Sequence, residues 1–187
     1  YERCDQECCP TSCPPGQALY NRSCATVHVQ TANAQGNVGE FSSIALDAAG
    51  AAHITCYASS GRDLRYPSQQ ADASWLPETP DGPDDVGRYS AIAFDPAGVP
   101  HIAYYNSTDE NLMFATRQSA AGWIVQVVDA GDGGNGQVGE HASLKLDPAG
   151  TAHVSYYDKA GKDLMYARRP SGGAWAVERV DASGDVG

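Results

Sequence analysis

A 20-residue segment occurs three times in this chain, and this internal repeat restricts the possible folds more than any other feature. The copies are VGEFSSIALDAAGAAHITCY from Val38, VGRYSAIAFDPAGVPHIAYY from Val86 and VGEHASLKLDPAGTAHVSYY from Val138. The Val-Gly pair at 186–187 has the sequence that opens a further copy. Repeats at spacings of roughly 20 to 50 residues are typical of solenoids, propellers and related arrays. We therefore interpret the chain as a repeat array.

Each repeat is predicted to form four short β-strands joined by turns. In the second copy the predicted strands cover residues 90–94, 100–105, 111–116 and 123–128. The first two flank Asp95-Pro96-Ala97-Gly98, where proline at the second position and glycine at the fourth favour a type I turn. The second strand is rich in residues with high β-propensity. We find no segment with the 3.6-residue periodicity of a helix.

Four antiparallel strands in a unit of about 50 residues are typical of one blade of a β-propeller. A solenoid coil is normally shorter, and a β-sandwich has no reason to repeat its sequence. We therefore predict an all-β fold of propeller-type four-stranded blades with an N-terminal disulfide-rich cap. The predicted boundaries are a cap at 1–24, a partial blade (one outer strand) and linker at 25–37, blades at 38–85, 86–137 and 138–185, and the start of a further repeat at 186–187.

The charge of the chain excludes several classes of partner. There are 23 Asp and Glu against 12 Lys and Arg, which gives a formal net charge of −11. Nucleic-acid binding and adsorption to anionic membranes both need clustered basic residues, so we expect neither. The sequence contains no run of 18 or more apolar residues, and we expect no membrane span.

Five of the six cysteines lie within the first 24 residues, in a proline-rich segment. The complete set is Cys4, Cys8, Cys9, Cys13, Cys24 and Cys56. An even number of cysteines crowded in this way favours disulfide bonds and an extracellular or cell-surface location. Zinc binding fits less well, because the C-x3-C-C-x3-C spacing contains no paired C-x2-C and no histidine. Free or intermolecular thiols are the third alternative, and the sequence does not choose a disulfide pairing.

An aspartate and a histidine six residues apart flank the first turn of every repeat. The pairs are Asp47 with His53, Asp95 with His101, and Asp147 with His153. A carboxylate that holds an imidazole could be part of a catalytic triad. A catalytic site is normally single, whereas this pair recurs in each repeat. We therefore predict that the pairs stabilise the hairpins and that the chain has no catalytic residues.

The repeated aromatic residues are the candidates for ligand contacts. Tryptophans recur at Trp75, Trp123 and Trp175, each at the start of a predicted fourth strand. Such residues usually fill the space between packed sheets. They could instead form stacking platforms for sugar rings, because the fourth strand is the outermost of a blade. The sequence leaves both interpretations open and makes these tryptophans the candidate ligand-binding residues.

Acidic, glycine-rich loops follow each fourth strand and are candidate calcium sites. Oxygen ligands in such loops suit Ca²⁺, but none matches the calcium-loop pattern D-x-[DN]-x-[DN]-G. Asp and Gly are also common turn residues, which favours plain loops. The chain therefore needs no cofactor, and calcium is the one candidate. Asp129, Asp132 and Asn135 are its candidate ligands, because their loop carries the only insertion between repeats.

Two N-x-[ST] sequons, at Asn21 and Asn106, lie in predicted loops. Such loops are where a secreted protein could carry a glycan. The pattern also arises by chance, so we treat both as candidate glycosylation sites only.

The repeat resembles those of known propeller proteins. Its pattern is S-x-A-x-D-x-x-G-x-x-H-I-x-Y-Y, then D/N-L-x-Y/F-A, then W and V-D-x-x-G-D-V-G, over about residues 38–187. This is similar to the propeller repeats of large secreted or surface proteins of environmental bacteria. The resemblance implies adhesion, carbohydrate binding or surface assembly. Cys56 at a tyrosine position and Pro67 at an alanine position depart from the pattern, and we expect a distorted third strand there.

The function predicted from the sequence is a non-catalytic extracellular module that binds a glycan or a protein surface. The alternative is a structural subunit of a cell-surface ring or filament, a homo-oligomer assembled through incomplete terminal repeats. This alternative arises because a propeller closes with about four to eight blades, and only three repeats are present. A propeller-type hydrolase or lyase fits least, because no single repeat has a polar cluster of its own.

Overall fold

The computed structural model describes residues 13, 15, 17–20, 23–26, 29–118, 122–134 and 136–186, with only the backbone described at 17–20 and 23–26. The chain divides into two compact units, Tyr1–Thr31 and Ala32–Gly187.

The first unit contains one β-hairpin. Strands β1 (Gln17–Tyr20) and β2 (Ser23–Thr26) pair antiparallel in a two-stranded sheet. The sequence predicted a lone outer strand of a partial blade in the segment 25–37. Residues 25 and 26 belong to the end of β2, which pairs antiparallel with β1. Residues 27 and 28 lie outside the described part of the chain, so the partial blade stays a prediction.

The predicted disulfide-stapled cap falls mostly on residues outside the described part of the chain. Cys13 is disulfide-bonded. Cys4, Cys8 and Cys9 lie outside the described residues, and only the backbone of Cys24 is described. The cap therefore stays a prediction.

The second unit consists of three four-stranded antiparallel sheets, one for each repeat, in which the strands follow one another in chain order. Sheet 1 contains β3 (Val38–Leu46), β4 (Ala52–Ala58), β5 (Asp63–Gln69) and β6 (Trp75–Asp81). Sheet 2 contains β7 (Val86–Phe94), β8 (Pro100–Asn106), β9 (Asn111–Arg117) and β10 (Trp123–Asp129). Sheet 3 contains β11 (Val138–Leu146), β12 (Ala152–Asp158), β13 (Asp163–Arg169) and β14 (Ala176–Asp181), after a 3-10 turn at Asp132–Gly134. The all-β prediction is confirmed.

The first strand of each sheet is longer than the sequence predicted. In sheet 2 it begins at Val86 rather than Ser90, whereas the other three strands differ from the prediction by one residue at one end. The pairing with β8 shifts register twice, on either side of Arg88. This irregularity hides the alternating pattern of the strand, which is the signal on which a sequence-based prediction relies.

The turn between the first two strands of each sheet is fixed by its aspartate. In sheet 2 the amide of Gly98 donates to the carbonyl oxygen of Asp95 (2.9 Å), which closes the predicted turn. Atom Oδ1 of Asp95 accepts bonds from the amides of Ala97 (2.9 Å) and Val99 (2.8 Å). Asp47 and Asp147 make the equivalent bonds. One carboxylate oxygen in each repeat is therefore committed to the turn.

The cores lie between neighbouring sheets. Between sheets 1 and 2, the buried Leu64 and Tyr66 pack in one cluster with Ile92 and Ile102. The cluster between sheets 2 and 3 includes Leu112, Phe114, Val128, Leu144 and Val154. Sheet 2 is thus covered on both faces, which explains why its second strand is apolar on both sides.

Sheet 1 differs from the other two at Cys56 and Pro67. The pairing of β4 with β5 skips from His53–Ser68 to Cys56–Arg65, in line with the expected distortion, since proline has no amide hydrogen to donate. The sequence placed Cys56 in a disulfide, and this is wrong: its thiol is free. It lies buried on the central strand β4, where it packs as a small apolar side chain.

Among the described residues, the structure has no helix with the length and apolar character that crossing a bilayer requires.

Candidate functional site

The repeated aspartate–histidine pairs are each brought together across their hairpin. The distance from histidine Nε2 to aspartate Oδ2 is 3.5 Å in sheet 1, 3.4 Å in sheet 2 and 3.6 Å in sheet 3. Bonds from the turn amides, that of Ala51 above all, lower the pKa of Asp47, and the amide of Thr151 does the same for Asp147. Each carboxylate therefore holds the turn and lies close to the imidazole.

A tyrosine on the third strand holds the other ring nitrogen in two of the sheets. Atom Nδ1 of His53 lies 2.6 Å from the hydroxyl of Tyr66, and Nδ1 of His153 lies 2.6 Å from the hydroxyl of Tyr166. The other nitrogen, Nε2, lies 3.5 Å from Asp47 in His53 and 3.6 Å from Asp147 in His153. The geometry is that of a brace between the first hairpin and the third strand.

Sheet 2 lacks this tyrosine, because Phe114 occupies the position. Although Nε2 of His101 lies 3.4 Å from Asp95, neither ring nitrogen of His101 makes a hydrogen bond to a described residue. Burial lowers the pKa of His101, against the opposing influence of Asp95. His101 is therefore a neutral, incompletely bonded imidazole inside the protein.

The tryptophans named as candidate ligand platforms are all partly buried. Trp123 packs edge-to-face on Tyr66 of sheet 1, with ring centroids 4.9 Å apart. Trp175 packs in the same way on Phe114 of sheet 2, also at 4.9 Å. Trp75 starts β6 of sheet 1. The first of the two interpretations, filling the space between sheets, thus describes the contacts of Trp123 and Trp175.

An arginine guanidinium lies close to each of these two tryptophan rings. The guanidinium of Arg117 lies 5.8 Å from the ring centre of Trp123, and that of Arg169 lies 5.0 Å from Trp175. Arg117 also donates to Glu78 of sheet 1 at 2.6 Å. Each of the two tryptophans therefore contacts an aromatic ring of the neighbouring sheet and a guanidinium group.

The candidate calcium ligands have other partners. The hydroxyl of Tyr156 donates to Oδ2 of Asp129 (2.5 Å), and the amide of Gly131 donates to Oδ1 (2.9 Å). Asp132 is fully exposed and lies 3.8 Å from Arg179, and Asn135 lies outside the described residues. Within the described ranges, we find no group of three or more His, Cys, Asp or Glu side chains that could hold a metal ion.

The first sequon, at Asn21, lies outside the described residues. Asn106 ends β8 and is buried. Its Oδ1 accepts bonds from the amides of Thr108 (2.8 Å) and Asp109 (3.2 Å), which close the next turn. A glycan at Asn106 would require the side chain to leave this position.

Three aromatic rings at equivalent positions of the first strands form a row across the three sheets. We call this row the aromatic ladder; it consists of Phe41, Tyr89 and His141. The ring centroids of Phe41 and Tyr89 are 4.6 Å apart, and those of Tyr89 and His141 are 4.4 Å apart. The ladder is the one described aromatic set that runs through all three repeats with its rings in mutual contact.

The ladder residues share a backbone conformation that is rare for residues with a side chain. Their φ angles are 51°, 52° and 56° for Phe41, Tyr89 and His141 respectively. Each lies where the pairing of the first two strands shifts register, two to three residues after the Val-Gly pair. Non-glycine residues held in this left-handed region are strained and occur often at ligand sites. The same strained backbone conformation therefore recurs at the equivalent position of all three repeats.

Buried tyrosines of the second strands lie next to two of the ladder rings. Tyr57 and Tyr105 each lie 6.3 Å, centroid to centroid, from the ladder ring of their own sheet. Tyr57 donates to Asp85 at 2.9 Å, and the guanidinium of Arg88 lies 4.9 Å from the Tyr57 ring centre. Burial raises the pKa of Tyr105 to about 12, so its hydroxyl stays protonated at neutral pH.

The ladder side chains are partly open to solvent. Phe41 and His141 are exposed, and Tyr89 between them is half-buried. A charged residue directly precedes each ladder residue in the chain: Glu40, Arg88 and Glu140. Arg88 is held by Asp85 at 3.2 Å. The ladder therefore presents aromatic side chains to solvent, with a charged residue next to each of them in the chain.

The sequence did not predict the ladder. Its signal was present, because the fourth residue of every repeat carries a ring: VGEF, VGRY and VGEH. The three side chains differ, so the position does not look repeated when residues are compared by identity.

No protein-family model matches this chain, and no curated protein is significantly similar to it.

Proposed function

We propose that the three sheets are consecutive blades of a β-propeller. The one-sheet-per-repeat arrangement supports this, as does the packing of the first strands β3, β7 and β11 against their neighbours in order. In a propeller the first strand of each blade lines the central axis. The aromatic ladder then lies along the inner wall.

We further propose that the protein is a non-catalytic extracellular module that binds a glycan at the aromatic ladder. The observation that carries this is the row of Phe41, Tyr89 and His141, three strained, contacting rings open to solvent. Strain that recurs at one position in every repeat calls for a shared role, and these rings are not needed to fill the inter-sheet cores.

The chemistry of the ladder suits a carbohydrate. A sugar ring has an apolar face that can lie on an aromatic ring, and hydroxyl groups around its edge that need hydrogen-bond partners. The residues that precede the ladder rings in the chain, Glu40, Arg88 and Glu140, carry charged groups that can supply these partners.

The absence of catalysis is part of the proposal. The repeated pair of histidine and aspartate serves as a brace, because a tyrosine hydroxyl holds Nδ1 of His53 and of His153 and the turn aspartate lies beside Nε2. Tyr57 and Tyr105 carry raised pKa values, which makes them hydrogen-bond donors rather than bases.

The test is a glycan-array screen of the whole chain, followed by calorimetric titration of the best oligosaccharide. Tyr89→Ala removes the central ring and should weaken binding by about tenfold or more, which corresponds to a stacking loss of about 1.4 kcal/mol. Tyr89→Phe keeps the ring and should retain most of the affinity.

Leu76→Ala is the matched control, because Leu76 is an exposed apolar residue on β6, outside the ladder. It should bind like the unmodified chain. The proposal fails if no glycan binds, if Tyr89→Ala binds as well as the control, or if the only ligand found is a protein.

A further inference from the structure

The first sheet exposes apolar residues that its counterparts bury. Ile44 on β3 is 63% exposed, whereas the equivalent Ile92 is 6% and Leu144 is 4% exposed. Leu46, two residues further on the same face, is also exposed. We call Ile44 and Leu46 the leading face of sheet 1. The equivalents of Ile44 in sheets 2 and 3 are buried and those of Leu46, which are Phe94 and Leu146, are partly buried, because the preceding sheet covers them.

The third sheet exposes the opposite set of positions. Val180 on β14 is 58% exposed, whereas the equivalent Val128 is 8% exposed. Leu164 and Tyr166 are only partly buried, although their equivalents in sheets 1 and 2 are fully buried. We call Leu164, Tyr166 and Val180 the trailing face of sheet 3.

The two interfaces inside the chain join these same positions. Leu64 and Tyr66, the trailing positions of sheet 1, share a cluster with Ile92, a leading position of sheet 2. The trailing positions of sheet 2 likewise share a cluster with the leading positions of sheet 3, namely Leu112, Phe114 and Val128 with Leu144 and the partly buried Leu146. A trailing face thus fits a leading face, twice over.

We propose that the trailing face of sheet 3 binds the leading face of sheet 1 in a second copy of this chain, head to tail. Such a contact continues the interface already formed twice within the molecule. It is heterologous, because different surfaces of the two copies meet, and each added copy presents a fresh face. This assembly is independent of the glycan proposed above.

Polar positions at the rim also match. Within the chain, Arg117 of sheet 2 donates to Glu78 of sheet 1, and Arg169 of sheet 3 donates to Gln126 of sheet 2. At the junction between two copies, Gln69 takes the position of the arginine and Glu178 the position of the acceptor. The side-chain amide of Gln69 can donate to the carboxylate of Glu178, and no two like charges meet there.

One internal bond has no counterpart at the junction. Tyr104 donates to Asp81 and Tyr156 donates to Asp129 between sheets, but the equivalent pair is Cys56 and Asp181. The contact between copies is therefore weaker than the internal interfaces, and the chain should associate reversibly with concentration.

Sedimentation velocity over a range of concentrations, on the whole chain, tests the proposal. Ile44→Asp places a charge on the leading face, and Val180→Asp places one on the trailing face. Each variant alone should remain monomeric, with association weakened at least about 100-fold because an unpaired carboxylate would be buried. Mixed together, the two variants should form a one-to-one dimer that grows no further, since each retains the face that the other has lost.

Val127→Asp is the matched control, because Val127 is equally exposed but lies on the middle sheet. It should associate like the unmodified chain, and circular dichroism should show that all variants fold. Leu46→Asp replaces Ile44→Asp if the latter fails to fold. The proposal is overturned if the unmodified chain stays monomeric at every concentration, if either variant alone still assembles, or if the mixed variants fail to pair.

Discussion

The Nδ1 atom of His53 lies 2.6 Å from the hydroxyl oxygen of Tyr66, and this contact is missing in the middle sheet. There, Phe114 takes the place of tyrosine, and Nδ1 of the buried His101 has no hydrogen-bond partner among the described residues. Phe114→Tyr should supply one. We expect the free energy of unfolding to rise by about 0.5–1.5 kcal/mol, measured by chemical denaturation.

The same substitution in a His101→Gln background separates this bond from other effects. If the hydroxyl acts through the imidazole, the gain should shrink there. A loss of stability from Phe114→Tyr in the unmodified chain would show that the site has no room for the hydroxyl, and would contradict the prediction.

The buried imidazole of His101 should also make stability depend on pH. Burial lowers its pKa below the ordinary value of 6.5, against Asp95 at 3.4 Å, while Arg169 lowers it further. The imidazole of the unfolded chain then binds a proton more readily than that of the folded chain. The free energy of unfolding is therefore unaffected by His101 above about pH 6.5 and decreases as the pH falls below it.

His101→Gln should therefore flatten the decline in melting temperature between about pH 7 and about pH 5. The lowered pKa values of Asp47 and Asp147 act only at more acidic pH, below their ordinary value of 3.8. Equal slopes for the variant and the unmodified chain in this range would contradict the assignment.

Hydrogen bonds from buried tyrosines to aspartates tie neighbouring sheets together. Tyr104 donates to Asp81 at 2.6 Å, and burial raises the pKa of that carboxyl group. Tyr104→Phe leaves a partly buried carboxylate without its donor, so we expect a loss of about 1.5–3 kcal/mol in the free energy of unfolding. Tyr157→Phe is the control, because its bond to Asp185 is exposed, and it should cost about 0.5 kcal/mol or less. Equal losses would contradict the prediction.

The free thiol of Cys56 should be protected in the folded protein. It is buried, and burial raises its pKa, so little reactive thiolate forms. Native alkylation followed by mass analysis of the Cys56 peptide should find it unlabelled, and labelling should appear after unfolding. Labelling of the native chain at the unfolded rate, or a disulfide at Cys56, would contradict the structure.

The repeat made most of the second unit predictable. Its landmarks fixed the strand count and the hairpin turn at Asp95, because strand alternation and turn chemistry are local properties. The juxtaposition of each aspartate with its histidine followed from the same local geometry. These features depend on residues that lie close together along the chain.

What the sequence did not reveal depends on contacts between repeats. Tyr89 contacts rings 48 and 52 residues away, so the ladder is not visible within any one repeat. Cys56 has the residue type of a disulfide partner, and only its burial on β4 shows otherwise. The sequence leaves open whether Trp123 packs between sheets or offers a face to a sugar, because the neighbouring sheet determines whether its ring faces solvent.

Glycan binding at the aromatic ladder is tested most directly by chemical-shift mapping on isotope-labelled protein titrated with oligosaccharides. We predict that the perturbed residues cluster around Phe41, Tyr89 and His141 and their supporting tyrosines. Perturbations centred instead on Trp75, Trp123 and Trp175, or none with any oligosaccharide, would contradict the assignment of the ladder as the binding surface.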